Sequence, residues 1–129
     1  MEGGKHYRQD IGRKGEEIAC SLLESRGHRI IERNWRYSHL EIDIISINAD
    51  GIHFVEVKTR RKSIQAPPQD NVDVAKQRKI ARAAQAFLRS SGGMLMKNAE
   101  CCFDVVAVTF SGEEAATEYI ENAYIPIYY

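Results

Sequence analysis

No apolar run in this 129-residue chain approaches the roughly 20 residues needed to cross a bilayer, and the opening MEGGKHYRQD lacks the apolar stretch of a secretory signal. A membrane-free, cytoplasmic protein is therefore expected. Cysteine is scarce: Cys20, Cys101 and Cys102 are odd in number and have no metal-ligand spacing, which fits reduced thiols used for packing. Nor do His6, His28, His39 and His53 have ligand spacing. Internal repeats and low-complexity tracts are missing, and residues 63–71, SIQAPPQDN, are the one linker-like stretch. With 43% hydrophobic and 28% charged residues, the chain reads as one folded domain over 1–129, with its core at about 10–125.

Net charge is also missing, since 18 Lys and Arg meet 18 Asp and Glu, but the balance is uneven along the chain. From Val57 to Lys97, ten basic residues (Lys58, Arg60, Arg61, Lys62, Lys76, Arg78, Lys79, Arg82, Arg89, Lys97) face only Asp70 and Asp73, a local net of +8. From Asn98 onward there are six acids and no Lys or Arg. A polyanion would meet a basic surface in the first stretch, although a solvated helix face produces such runs too.

Asp10 can cap a helix running to about Ser25, with Gly27 stopping it. At about 100° per residue, Ile11, Gly15, Ile18, Ala19, Leu22 and Leu23 fall on one inner arc. HRIIERNWR reads as a strand, followed by strands Glu41–Ile47 and Ile52–Lys58 around the turn NADG. A second helix, roughly Asn71–Ser90, turns Val72, Ile80, Ala83, Ala84 and Phe87 inward and ends before Gly92 and Gly93. CFDVVAVTF and TEYIENAYI are the last strands. The order αβββαββ predicts an α/β fold: one mixed central β-sheet flanked by helices.

The hairpin EIDIISINADGIHFVEVK carries four charges among apolar residues. Strand alternation puts Glu41, Asp43, Ile45 and Ile47 on one face, with Ile42 and Ile44 on the other; Phe54, Glu56 and Lys58 also share a face. If Asn48 stands opposite Gly51, paired residue numbers sum to 99, which sets Asp43 across from Glu56 and Glu41 across from Lys58. Opposed carboxylates repel unless a cation stands between them, and a hard divalent ion with oxygen ligands suits that place. Lys58 would then face the bound anion, an arrangement suited to phosphodiester hydrolysis. An amphipathic edge, with Glu41 paired to Lys58 and the other acids in water, accounts for the same pattern.

EID followed by FVEVKTR resembles the PD-(D/E)xK nuclease signature. With GRKGEEIACSLLESRGHRIIERNWR, KQRKIARAAQAFL and FDVVAV in order, residues 12 to 124 resemble the YraN family, small bacterial proteins similar to archaeal Holliday-junction resolvases. The resemblance implies a restriction-endonuclease-like fold, with Asp43, Glu56 and the Val57 carbonyl holding Mg²⁺ or Mn²⁺ and Lys58 positioning or activating water. It also implies an acid from the first helix. Helix phase favours Glu16, at the margin of the inner arc, over Glu17, which points away from it; an acid near a helix N-terminus is also favoured by the macrodipole alone. Glu41 matches the family's GEID, for a supporting electrostatic role, and Lys76 and Gln77 match its KQ at the edge of the site. Arg60, Arg61 and Lys62 continue from the catalytic strand toward substrate phosphates. Leu40 stands where the family has glycine, and IQAPPQD where it has Phe-Gly.

The expectation is a metal-dependent DNA endonuclease, structure-selective in the manner of a Holliday-junction resolvase, with a two-fold homodimer as the natural vehicle for symmetric cutting. A weakly catalytic or non-catalytic DNA-binding, repair-accessory module is the alternative, and an RNA-directed nuclease a third. Asp104 reads as structural, and the tail IPIYY as an interface cover or a disordered end.

Overall fold

Nothing between Gly4 and Asp10 breaks a helix, and in the computed structural model helix α1 spans Gly3–Ser25, so Asp10 lies inside it and is not its cap. The structure describes residues 3–62 and 72–125, with side chains from Asp10 onward; the stretch 63–71 and the end of the tail at 126–129 lie outside these. Gly27, at φ 88°, closes α1 by letting His28 N–H reach Leu23 O at 3.0 Å and Gly27 N–H reach Glu24 O at 3.1 Å.

Strands β1 (Arg29–Tyr37), β2 (Leu40–Asn48) and β3 (Gly51–Arg61) follow, then α2 (Val74–Arg89), a short 3-10 turn at Met94–Met96, β4 (Cys101–Ser111) and β5 (Glu114–Ile120). The sheet order is β1-β2-β3-β4-β5, with β3 and β4 parallel and the other pairs antiparallel. The mixed α/β architecture and the order αβββαββ therefore stand. The final strand lies earlier than TEYIENAYI suggests. It ends at Ile120 because Asn122 takes a positive φ of 48° and gives its N–H to Asp104 Oδ1 at 3.0 Å, which turns the chain off the sheet. The second helix starts at Val74 because the Asp73 carboxylate accepts the Lys76 N–H at 2.8 Å.

The helices cover opposite faces of the sheet. Against α2 pack Ile45, Ile52, Phe54, Phe103 and Val105, meeting Ile80, Ala83, Ala84 and Phe87. Against α1 pack Ile44, Val55, Val106, Val108 and Phe110, meeting Ala19, Cys20 and Leu23. Gly15 sets how near α1 comes to β3: a β-carbon there would run into the Thr59 side chain. The cysteines are free and serve packing; burial pushes the Cys102 thiol up to about 11. Among the described residues no helix is long and apolar enough to cross a membrane.

Candidate active site

The β2–β3 ladder follows the sum-to-99 register from Asn48↔Gly51 through Ile47↔Ile52, Ser46↔His53 and Ile45↔Phe54 to Ile44↔Val55, and there it ends. Asp43↔Glu56 and Glu41↔Lys58 are not ladder pairs. Asp43 is the reason: its Oδ2 accepts the N–H of Val57 at 2.8 Å. Ile42 packs in the α2 cluster and Ile44 in the α1 cluster, so the alternation slips across Asp43 and the two do not share a face. The strands part where the acids stand.

The parted strands hold their acids half-buried. Burial, then the Glu56 charge and, more weakly, Glu16 push the Asp43 carboxyl up to about 7, against the Val57 N–H and Lys76, which pull it down. Burial also raises Glu56, opposed by Lys76 and Lys58, with Glu41 adding to the rise. Electrostatically, then, Glu16, Asp43, Glu56, Lys58 and Lys76 belong to one neighbourhood. Glu16 is half-buried whereas Glu17 is exposed. Lys76 crosses from α2 to put its Nζ 3.7 Å from Glu56 Oε1.

Other expected members are engaged elsewhere. Glu41 stands opposite Arg36 in the β1–β2 register and pairs with it at 3.3 Å, so its cross-strand partner is Arg36 and not Lys58. Gln77 turns back along its own helix and donates to Val72 O at 2.8 Å, away from the carboxylates. Arg60 donates from Nε to Thr109 Oγ1 at 3.0 Å, which holds it along the sheet, while Arg61 and Lys62 are exposed beyond it. Arg61 instead lines a cleft of about 440 Å³ with Ile11, Lys14, Phe110, Gly112 and Glu113, which does not include Asp43 or Glu56.

Among the described residues, no three His, Cys, Asp or Glu side chains are gathered so as to hold a metal ion by themselves. What stands together is thinner: the Asp43 and Glu56 carboxylates, both oxygen donors. That is the chemistry of Mg²⁺, which keeps several waters and leans on one or two carboxylates and a substrate phosphate. Two mutually repelling, half-buried carboxylates fit such an ion.

A second polar cluster escaped the sequence reading. His53, 2% exposed, meets Asp104 Oδ2 through Nδ1 at 2.6 Å and Asn48 Oδ1 through Nε2 at 2.8 Å. That Asn48 oxygen also accepts the Asp50 N–H, so the His53 ring is clamped between the Asp104 carboxylate and the Asn48 amide oxygen. The Tyr119 hydroxyl donates to the same Asp104 oxygen at 2.5 Å, and His28 Nδ1 meets Ser46 Oγ at 2.9 Å. Burial, then the His53 charge, lower His28. This cluster ties β2, β3, β4 and β5 together. Its one signal in the sequence is polar residues inside the apolar runs IHFVEV and CFDVVAV.

Over residues 15–108 the sequence matches the model of the Uncharacterised protein family UPF0102. A UPF0102 protein of Chlorobium chlorochromatii is 46% identical over 99 residues, covering 77% of this chain and 74% of its own. One from Nitratidesulfovibrio vulgaris is 41% identical over 117 residues, with coverage of 91% and 85%. One from Geobacter metallireducens is 39% identical over 120 residues, with coverage of 92% and 94%.

Proposed function

We propose that this chain, which belongs to the UPF0102 (YraN) family, is a metal-dependent DNA endonuclease of restriction-endonuclease-like fold, selective for branched substrates. The observation that carries the reading is the parting of β2 and β3 at Asp43, which holds Asp43 and Glu56 half-buried beside Glu16, Lys58 and Lys76. A fold gains nothing from pressing carboxylates together in a poorly hydrated place, and the arrangement makes sense as a seat for a cation.

A divalent ion bound by Asp43, Glu56 and the Val57 carbonyl supplies Lewis acidity toward a phosphate and a more acidic water. The protein's own groups do the rest. The Val57 N–H holds one Asp43 oxygen and so aims the carboxylate. Lys58, beside Glu56, orients the attacking water and offsets the negative charge that grows on the phosphate. Glu16 brings a further acceptor from α1, and Lys76 holds Glu56 in place and opposes the upward push of burial on its carboxyl. The basic stretch from Lys58 to Arg89 supplies sequence-independent attraction for phosphates. A two-fold dimer is the expected form for symmetric cutting of a junction.

The test is cleavage of duplex, flap and four-way-junction DNA in Mg²⁺ or Mn²⁺, beside Asp43→Ala and Lys58→Ala. Cutting near the branch that both substitutions abolish is the expected result. Equal cutting by the variants removes the proposed site. Binding without cutting on every substrate assigns the chain to the accessory-module alternative.

A further inference from the structure

Tyr37 ends β1 with a side chain 53% exposed. A lone exposed tyrosine is ordinary, but this one is part of a construction. Its ring lies parallel to that of Trp35, at 6.4 Å and 6°, the spacing of alternate residues on one strand face. Trp35 is fixed from beneath by Phe87 of α2, edge-on at 5.3 Å and 86°. The two rings form a shelf with one end anchored in the core and the other in solvent.

The shelf stands near the carboxylates. Tyr37 pairs with Leu40 across a two-residue turn, Ser38–His39, in which Ser38 takes φ 58°, so Tyr37 sits at the tip of a short hairpin. Leu40 precedes Asp43 by three residues, about 10 Å along a strand. Through Trp35 and Phe87 the shelf lies on the α2 face of the sheet, from which Lys76 also reaches Glu56. That helix exposes Arg78, Lys79, Arg82 and Arg89 and contains no acid. An exposed π-face beside a cationic helix, close to a candidate phosphodiester site, is the pairing of features that binds unpaired nucleotides.

We propose that Tyr37 is a stacking platform for an unpaired DNA base, so that the strand delivered to Asp43 and Glu56 is single-stranded or splayed at a branch. This rests on the DNA-endonuclease reading above and narrows its substrate: continuous duplex offers no free base face at this point, whereas a fork, flap or open junction does. Tyr37 is then a residue of substrate choice and not of chemistry.

The experiment compares wild type with Tyr37→Ala, Tyr37→Phe and Tyr37→Leu, measuring binding by fluorescence anisotropy with Ca²⁺ in place of Mg²⁺. The probes are a forked DNA, a blunt duplex, and the same fork carrying 2-aminopurine at the first unpaired position. Tyr37→Ala and Tyr37→Leu are expected to weaken fork binding by roughly 5- to 150-fold, the range for loss of one base–aromatic stack. Duplex binding should stay within about twofold of wild type, as expected if phosphate contacts carry it. Tyr37→Phe keeps the ring and should match wild type on both. Wild type and Tyr37→Phe should quench the 2-aminopurine, and the Ala and Leu variants should not. Unchanged fork binding by Tyr37→Ala, or equal loss on fork and duplex, overturns the platform while the endonuclease reading stands. Failure of wild type to bind any of the DNAs overturns both.

Discussion

Asp43→Asn should make the metal-free protein more stable while abolishing its response to divalent cations. Asparagine has nearly the same shape and keeps an oxygen for the Val57 N–H, which Asp43 accepts at 2.8 Å. What it deletes is the charge. In the folded chain the Asp43 carboxyl is raised from 3.8 to about 7, first by burial and then by Glu56. Between those two values the unfolded chain has released the proton and the folded chain still holds it, so stability falls as pH rises from about 4 to about 7 and is flat beyond. At about 1.4 kcal/mol per tenfold in acidity, the ceiling is about 4 kcal/mol. The group is only half-buried, so solvent screening reduces this to about 2 kcal/mol. In chelator at pH 8, Asp43→Asn should therefore melt roughly 6–10 °C above wild type, converging with it near pH 4. Adding Mg²⁺ should raise the wild-type midpoint by mass action and leave the variant unmoved. Thermal melts monitored by circular dichroism, with and without 10 mM Mg²⁺ across this pH range, make the comparison. A variant less stable than wild type at pH 8 in chelator, or protected equally by Mg²⁺, would refute the reasoning.

Gly15→Ala should lose about 1–3 kcal/mol in urea unfolding, because its β-carbon meets Thr59, and should slow cleavage by shifting Glu16; adding Thr59→Ala should restore most of both. His53→Ala should cost about 1–3 kcal/mol by removing a buried hydrogen-bond partner of the fully buried Asp104, read by the same denaturation. Asp73→Ala should cost about 1 kcal/mol through loss of the α2 cap, with Asp73→Ser recovering most of it.

The parts of the site legible in the sequence are those set by local chemistry. NADG fixes a two-residue turn, and period-two alternation then carries the register to Ile44↔Val55. Helix phase separated Glu16 from Glu17 because α1 is regular there and its inner arc is packed on the sheet. The unread parts come from side chains competing with backbone over long distances. Asp43 takes an N–H that a ladder would otherwise use, which ends the pairing and removes Glu41↔Lys58 from it. Asp104 takes the N–H of Asn122, eighteen residues away, and so moves the end of β5 back to Ile120 despite the apolar continuation AYI. Periodicity shows neither, since both depend on which strand lies beside which. A buried or half-buried Asp inside an apolar strand is thus the common signal: EIDII opens the sheet where the candidate chemistry sits, and CFDVV locks it at β5 with a histidine, a tyrosine and a backbone N–H. The difference lies in the partners. Asp104 is met by a histidine ring, a hydroxyl and a backbone N–H, whereas Asp43 accepts the Val57 N–H but also faces Glu56 and Glu16, and the site that sets acids against one another is the one with capacity left for a ligand.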